Sequence, residues 1–346
     1  METPLVRKIC ENLIACAIQR CRLSDNLCRL SIALKCLYES DPPSVFISIS
    51  DTGAGSSLAE FRELDCWSDH DCAEKWDGML SITTTCIDDN HIYRYILSLK
   101  EAAGAVKRLT KLPPTSKKGK FSGTEVRLSP PMECCSDFVA WMTCFCRKIL
   151  VLKAPKIATE FTVEHVNNIG SKCEHILQPN HGSFLPHSMP NIECLISGLE
   201  DYVLKHEHVL DKECQSCFSC SRENLKVGSG AASSTDVLKD TGQMVEAVIV
   251  VAEAQTSVDM LCSRSFSPAT EVLYFQDFSP CQIPWSTFEA LTSIDWQSYG
   301  LTLKSNAVNG DGHATLEWDN LPPSTHIAIV LHSYNKKYPP YVTVVI

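Results

Sequence analysis

Residues 44–58, "SVFISISDTGAGSSL", join an apolar run to an acidic turn that is rich in glycine. The run 45–50 predicts a buried strand, which Asp51 ends and which Gly53 and Gly55 follow. An acid and two glycines at the end of a strand are a common way to hold a nucleotide, because glycine lets the backbone pass close beneath a ligand. The stretch therefore raises the question of whether this chain holds a nucleotide or keeps only the shape of such a site.

Regular elements are predicted on both sides of this strand. Apolar residues recur at helical spacing over 4–21, which predicts a helix with one buried face. The next apolar stretch, "LCRLSIALKCLY" at 27–38, is compatible with a helix or with the start of a strand. Downstream we expect a hairpin within 80–100, a basic loop over 107–120, a strand from 124, a helix over 136–150 and a strand over 156–166.

The pattern changes after residue 177. A loop is predicted there, then a helix over 191–209, and "GSGAASSTD" at 228–236 is typical of a flexible linker. A new regular region follows, with a strand from 245, a helix over 285–296 and a late strand over 325–334. The sequence thus predicts three parts: 1–177, a small intermediate region with a linker over 178–244, and 245–346.

Length and composition are those of a globular protein. The 346 residues allow two domains and a small third, and the formal net charge of −10 argues against wholesale coating of nucleic acid, though not against a local basic patch. Nineteen cysteines are present, and no secretory signal or membrane span is predicted at the N-terminus. We therefore expect reduced thiols in an intracellular protein.

The order of elements resembles a known ATP-binding fold. A helix, a strand that ends in Asp-x-Gly-x-Gly, a hairpin and then "SGTEV" at 122–126 are similar to the Bergerat (GHKL) fold of gyrase, histidine kinases and MutL. Residues 270–301 are similar to the transducer domain of the B subunit of topoisomerase VI, including the ending "IDWQSYGL". Together the two halves resemble the family of meiotic topoisomerase VI B-like proteins, its plant form in particular.

This resemblance implies an α/β fold, an α+β two-layer sandwich of the Bergerat type over 1–177, followed by a transducer-like α/β domain. It requires the strands at 45–50 and 121–128 to lie in one sheet, with helix 4–21 across the pocket above Asp51. It also assigns a nucleotide pocket: Asn12 would help to hold Mg²⁺, Asp51 would accept a hydrogen bond from the adenine amino group, Gly53 and Gly55 would pass beneath the base, and Thr124 would support the base through water.

The same resemblance implies that this pocket is vestigial. Lys8 stands where the family has its catalytic glutamate, and a protonated lysine cannot act as a base. Ala15 replaces the usual aspartate, and the second glycine-rich box is missing between Ser56 and Lys118. We therefore expect no catalytic residue and no metal-ligand set, with residual binding of ATP and Mg²⁺ left open. On this basis Asp51→Asn is expected to leave activity nearly unchanged.

Two further clusters allow more than one interpretation. Six basic residues between 107 and 120 form either a solvated connection, a nuclear import signal or a phosphate contact: Lys107, Arg108, Lys111, Lys117, Lys118 and Lys120. Three cysteines have zinc-like spacing near two histidines, but a clear second ligand pair is lacking: Cys214, Cys217 and Cys220, with His206 and His208.

The expected function follows from the resemblance. We expect a non-catalytic B-type subunit of a nuclear complex that forms meiotic DNA double-strand breaks, joined to topoisomerase VI A-like subunits in a heterotetramer and to DNA through that complex, without a membrane partner. The alternatives are an active ATP-dependent topoisomerase subunit and a GHKL-fold interaction module unrelated to DNA. The chain ends before the family's long transducer helix, so a C-terminally truncated domain with weak A-subunit binding is expected.

Overall fold

A computed structural model describes residues 3–39, 43–62, 76–101, 105, 108–132, 134–154, 156–167, 170–177, 191–206, 225–232, 243–253, 269–276, 279–308, 314–321 and 325–335. The chain divides into two compact units. Unit 1 comprises 1–146 and 155–185, and unit 2 comprises 147–154 and 186–346.

Unit 1 is built on one mixed sheet of eight strands. In chain order these are β1 (Cys28–Leu37), β2 (Ser44–Asp51), β3 (Met79–Thr85), β4 (His91–Ser98), β5 (Leu109–Ser116), β6 (Gly123–Leu128), β7 (Ile157–Asn167) and β8 (Gly170–Leu177). Their order across the sheet is β5-β4-β3-β6-β2-β1-β7-β8, with β1 and β7 parallel and the other neighbours antiparallel. The prediction that the strands at 45–50 and 121–128 share a sheet is confirmed, because β2 and β6 are direct neighbours.

Helix α1 (Thr3–Arg22) lies on one face of this sheet. Unit 1 also contains the short α2 (Ala59–Arg62) and most of α3 (Cys135–Leu150), whose residues from 147 are grouped with unit 2. Helix α1 buries one apolar stripe, from Val6 to Cys21, and packs on β1 and β2. The opposite face of the sheet is polar and carries ion pairs such as Lys35–Glu164 at 3.2 Å. The predicted α/β fold class, with helices layered on a sheet, is confirmed.

Two segments of unit 1 required the structure to place them. The stretch 27–38, compatible with a helix or a strand, contains β1, in which Leu30, Ile32 and Leu34 alternate into the core. The segment predicted as a basic loop contains strand β5, so that prediction was wrong for 109–116. Two prolines are tolerated there because β5 is an edge strand and its register with β4 shifts at them.

Unit 2 contains a second mixed sheet. Its strands are β9 (Leu225–Ala232), β10 (Gln243–Glu253), β11 (Ala269–Gln276), β12 (Ser279–Pro280), β13 (Leu303–Val308), β14 (Ala314–Trp318) and β15 (Thr325–Asn335). The main order is β13-β14-β11-β15-β10-β9, and β12 pairs with β11. Helices α4 (Asn191–His206) and α5 (Trp285–Thr292) belong to the same unit, and Phe288, Trp296 and Trp318 lie in its core.

Sequence expectations for unit 2 were met in part. The predicted strands at 245–254 and 325–334 correspond to β10 and β15, and the predicted helix at 285–296 ends at Thr292 and is followed by a 3-10 turn over 296–299. Residues 228–232 are not part of a flexible linker: they lie in β9, because their backbone groups pair with those of β10. Residues 233–242 lie outside the described residues. The division of the chain at 177 and 244 stays a prediction.

Within the described part of the chain, every helix is too short or too polar to cross a membrane.

Candidate nucleotide site at the end of strand β2

Asp51 is the last residue of β2 and lies in the middle of the sheet of unit 1. It pairs with Leu30 of β1 on one side and with Thr124 of β6 on the other, and Thr124 in turn pairs with Thr84 of β3. Cross-strand partners point to the same face of a sheet, here the face that carries the helices. The Asp51 side chain is completely buried, with an exposed fraction of 0%.

The partner of this buried carboxylate is Arg20, near the end of α1. The Arg20 Nε and Nη2 atoms both donate to Asp51 Oδ2, at 2.9 and 2.7 Å, and Nη1 donates to Glu60 Oε1 at 2.6 Å. The Arg20 side chain is only 4% exposed. One buried guanidinium therefore joins the end of β2 to α2.

The charges of this cluster follow from the surroundings of each group. Burial raises the pKa of Asp51, while the Arg20 guanidinium and the Gly53 N–H oppose that rise. Burial lowers the pKa of Arg20, but the carboxylates of Asp51 and Glu60 outweigh burial and leave the pKa above its ordinary value. Arg20 therefore remains a cation and compensates the negative charge beside it.

A chain of hydrogen bonds continues from Glu60 across the sheet. The Ser56 hydroxyl donates to Glu60 Oε1 at 2.5 Å, and the Ser56 N–H donates to Thr84 Oγ1 at 2.8 Å. Thr84 Oγ1 lies 2.9 Å from Thr124 Oγ1. The network thus connects α1, β2, α2, β3 and β6.

The two glycines of the turn allow close packing of the chain against itself. A Cβ atom on Gly53 would lie 2.5 Å from the backbone carbon of Arg20, and the Ala54 N–H donates to the Arg20 carbonyl at 3.1 Å. Gly55 has a φ of +87°, and a Cβ there would lie 2.6 Å from the Thr85 carbonyl oxygen. The space that a side chain at Gly53 would need is therefore filled by the backbone at the end of α1.

Asn12 lies apart from this cluster. It is exposed on α1, one turn after Lys8, which is also exposed, and it precedes Arg20 by eight residues, or about 12 Å along the helix axis. The structure therefore brings Asp51, Gly53, Gly55 and Thr124 together at one end of β2 and leaves Asn12 further along the helix. Their roles in binding a nucleotide stay predictions.

Sequence reasoning missed Arg20, Glu60, Ser56 and Thr84. One signal was present for Arg20: it lies three residues after Ala17 on the buried stripe of α1, and an arginine in such a position requires a buried acidic partner. Which acid supplies that partner depends on a contact across 31 residues of sequence. Periodicity within one helix cannot reveal it.

Several of the basic residues between 107 and 120 make contacts within unit 1. The buried Arg108 donates through Nη1 to the Glu101 carbonyl at 2.7 Å. Lys117 donates to the carbonyls of Cys86 and Ile87, at 2.7 and 3.1 Å. A role in nuclear import or phosphate binding stays a prediction, and Lys107 lies outside the described residues, as do His208 and the three cysteines of the predicted zinc cluster.

Comparison with known proteins shows a family similarity over part of the chain. Residues 192–345 match the family model of the MTOPVIB middle domain. The match covers 154 of the 346 residues, and over this part the chain is similar to the MTOPVIB middle domain. Comparison with curated protein sequences gave no match.

Solved structures that are similar to this chain include domains of gyrase and topoisomerase IV. The 43K ATPase domain of Thermus thermophilus gyrase B, in complex with an aminocoumarin, is 11% identical over 95% of this chain and 75% of its own, with a TM-score of 0.42. The gyrase B subunit of Myxococcus xanthus is 11% identical over 96% and 79%, with a TM-score of 0.43. The topoisomerase IV ATP-binding domain of Francisella tularensis is 12% identical over 96% and 77%, with a TM-score of 0.39. Similarities of this size say nothing about what this chain binds.

Proposed function

We propose that this chain is a non-catalytic B-type subunit of the topoisomerase VI-like complex that forms meiotic DNA double-strand breaks. It would hold the DNA-cleaving A-like subunits in a paired nuclear assembly and reach DNA through that assembly. The MTOPVIB middle domain over 192–345 supports the choice of complex. The observation that carries the non-catalytic part is the complete burial of Asp51 against Arg20.

The residues present do not fit ATP. Adenine recognition needs a carboxylate that a base can reach, whereas Asp51 is enclosed and already bonded to a cation. Hydrolysis needs a base beside the attacking water, whereas α1 presents the exposed cation Lys8 one turn before Asn12. The chain therefore contributes binding surfaces to its complex and no chemical step.

The test combines assembly with ATP turnover. The full chain is co-expressed with a topoisomerase VI A-like meiotic subunit, and the purified complex is examined by light scattering and by phosphate release with and without DNA. The sequence alone leads us to expect weak A-subunit binding, whereas the proposed role requires a complex with two copies of each subunit, and we expect no ATP hydrolysis above a no-protein control. The exposed variant Asn12→Ala is expected to leave both results unchanged.

Two outcomes would contradict the proposal. DNA-stimulated phosphate release that Asn12→Ala abolishes would favour the active topoisomerase subunit. Failure of the folded chain to associate with any A-like subunit would favour an interaction module of the same fold that works away from DNA.

A further inference from the structure

We propose that Arg20 is the resident ligand of Asp51. Its side chain, at the end of α1, occupies the site at which a nucleotide-binding relative would bind the adenine base. The inference rests on the proposed function, because it assigns to Asp51 the place of a former adenine-binding carboxylate. It goes further by naming the group that replaced the ligand and by making the fold of unit 1 complete without a nucleotide.

The first argument is the hydrogen-bonding capacity of Asp51. An ionised carboxylate offers about four acceptor positions. Arg20 fills two on Oδ2 and the Gly53 N–H fills one on Oδ1, at 2.9 Å. The side chain has no exposed surface, so an adenine amino group would have to displace Arg20 before it could donate to Asp51.

The second argument concerns the strength of the two competing partners. A hydrogen bond from a guanidinium to a carboxylate is charge-assisted and is roughly twice as strong as one between neutral groups. Adenine would bring a neutral donor, and the exchange would leave the Asp51 charge buried without a counter-ion, which is costly. Arg20 therefore outcompetes a base at this position.

The third argument is that the backbone of Arg20 also contacts the turn after β2. Its carbonyl accepts the Ala54 N–H, and its carbonyl carbon lies 2.5 Å from the position that a Cβ on Gly53 would take. The side chain also reaches Glu60, which is bonded to Ser56. Arg20 thus positions the whole segment from Asp51 to Glu60 from both its main chain and its side chain.

The test is chemical rescue of Arg20→Ala, measured as the thermal unfolding midpoint of the full chain. Removing the guanidinium leaves a buried carboxylate without a counter-ion, and we expect the midpoint to fall by roughly 10 °C. Methylguanidinium at low millimolar concentration can re-enter the space and is expected to restore part of the loss. The double variant Arg20→Ala/Asp51→Asn keeps only the partly exposed Glu60 carboxylate at this place and is expected to show much less restoration.

Matched controls separate this role from a general effect of arginine. Arg29→Ala removes an arginine from the polar face of the same sheet, where its side chain is 55% exposed, and should neither lower the midpoint appreciably nor respond to methylguanidinium. Arg20→Lys keeps the charge with fewer donors. It should fold, with a midpoint between those of the wild type and Arg20→Ala, and it covers the case in which Arg20→Ala does not fold.

Nucleotide supplies the second readout. ATP with Mg²⁺, and adenosine alone, are expected to leave the wild-type midpoint unchanged. A rise of that midpoint that Asp51→Asn abolishes would overturn the inference, as would an Arg20→Lys variant that is as stable as the wild type. Binding of the A-like subunit by the wild type is unaffected by these outcomes, so a failure here is distinguishable from a failure of the proposed function.

Discussion

Gly53 lies where the turn after β2 meets the backbone of α1. Any side chain at this position would bring a Cβ to 2.5 Å from the backbone carbon of Arg20, which cannot move without shifting the helix. We expect Gly53→Val to lower the free energy of unfolding by about 2 kcal/mol or more. Denaturant unfolding measures this, and Gly228→Ala in β9, where an added Cβ meets open space, should have a much smaller effect.

Asp51 is subject to the same kind of structural constraint. From sequence alone Asp51→Asn is expected to leave activity nearly unchanged, and the structure adds an expectation about stability, because the change removes the negative partner of a buried guanidinium. Breaking a buried pair by removing one partner costs about 3–5 kcal/mol, so we expect a loss of that order in the free energy of unfolding. Since Glu60 still faces Arg20, the loss should lie at the lower end. An unchanged unfolding curve would show that Asp51 carries no structural role.

Helix α4 supplies the clearest case at the scale of the element. Gly198 lies within it, and a Cβ there would fall 1.8 Å from the carbonyl oxygen of Val151. The same segment is held against α4 by Lys153, whose Nζ atom bonds to Ser197 and Asp201. Replacing glycine by alanine inside a helix ordinarily stabilises it by about 1 kcal/mol. Here we expect the sign to reverse, because the close approach leaves no room for a methyl group. A higher unfolding midpoint for Gly198→Ala would contradict this packing.

Some of the helices and strands could be predicted from the sequence and others could not. Helix α1 and strand β2 could be predicted because their periodicity and their limits are local. Strand β5 could not, because prolines and lysines are typical of loops and only its position at the sheet edge makes them acceptable. Strand β9 could not be predicted either, because its small residues are typical of a linker and form a strand only through pairing with β10.

The residues of the candidate site show the same difference between local sequence patterns and tertiary contacts. Asp51, Gly53 and Gly55 follow one another in sequence and could be recognised as a turn after a strand. Arg20 could not be assigned to Asp51, because their contact depends on how α1 crosses the sheet. The sequence therefore predicts where the site is, and tertiary packing decides that a side chain of the protein occupies it.

At the scale of the whole molecule, the buried cysteines contribute to its response to alkaline pH. All thirteen cysteines in the described part of the chain are free, and several lie in the core of unit 1. Burial raises the pKa of Cys16 to about 11 and that of Cys36 to about 12, and it raises the pKa of Cys10 and Cys146 further, all from an ordinary value of 9.0. These thiols are therefore neutral in the folded protein at pH values where they would ionise in the unfolded chain.

The consequence is a loss of stability in alkaline solution. Above pH 9.0 the unfolded chain releases protons that the folded chain retains, so stability is full below that pH and falls as the pH rises toward the folded pKa values. Each such thiol contributes a slope of about 1.4 kcal/mol per pH unit once the unfolded thiol is ionised. Denaturant unfolding between pH 7.5 and 10.5 under reducing conditions measures the total slope.

Cys10→Ala should reduce the slope by about one thiol's share, whereas Cys173→Ala, at an exposed position, should leave it unchanged. Equal slopes for the wild type and Cys10→Ala would mean that the Cys10 thiol ionises as readily in the folded chain as in the unfolded one, contrary to its burial against Cys146.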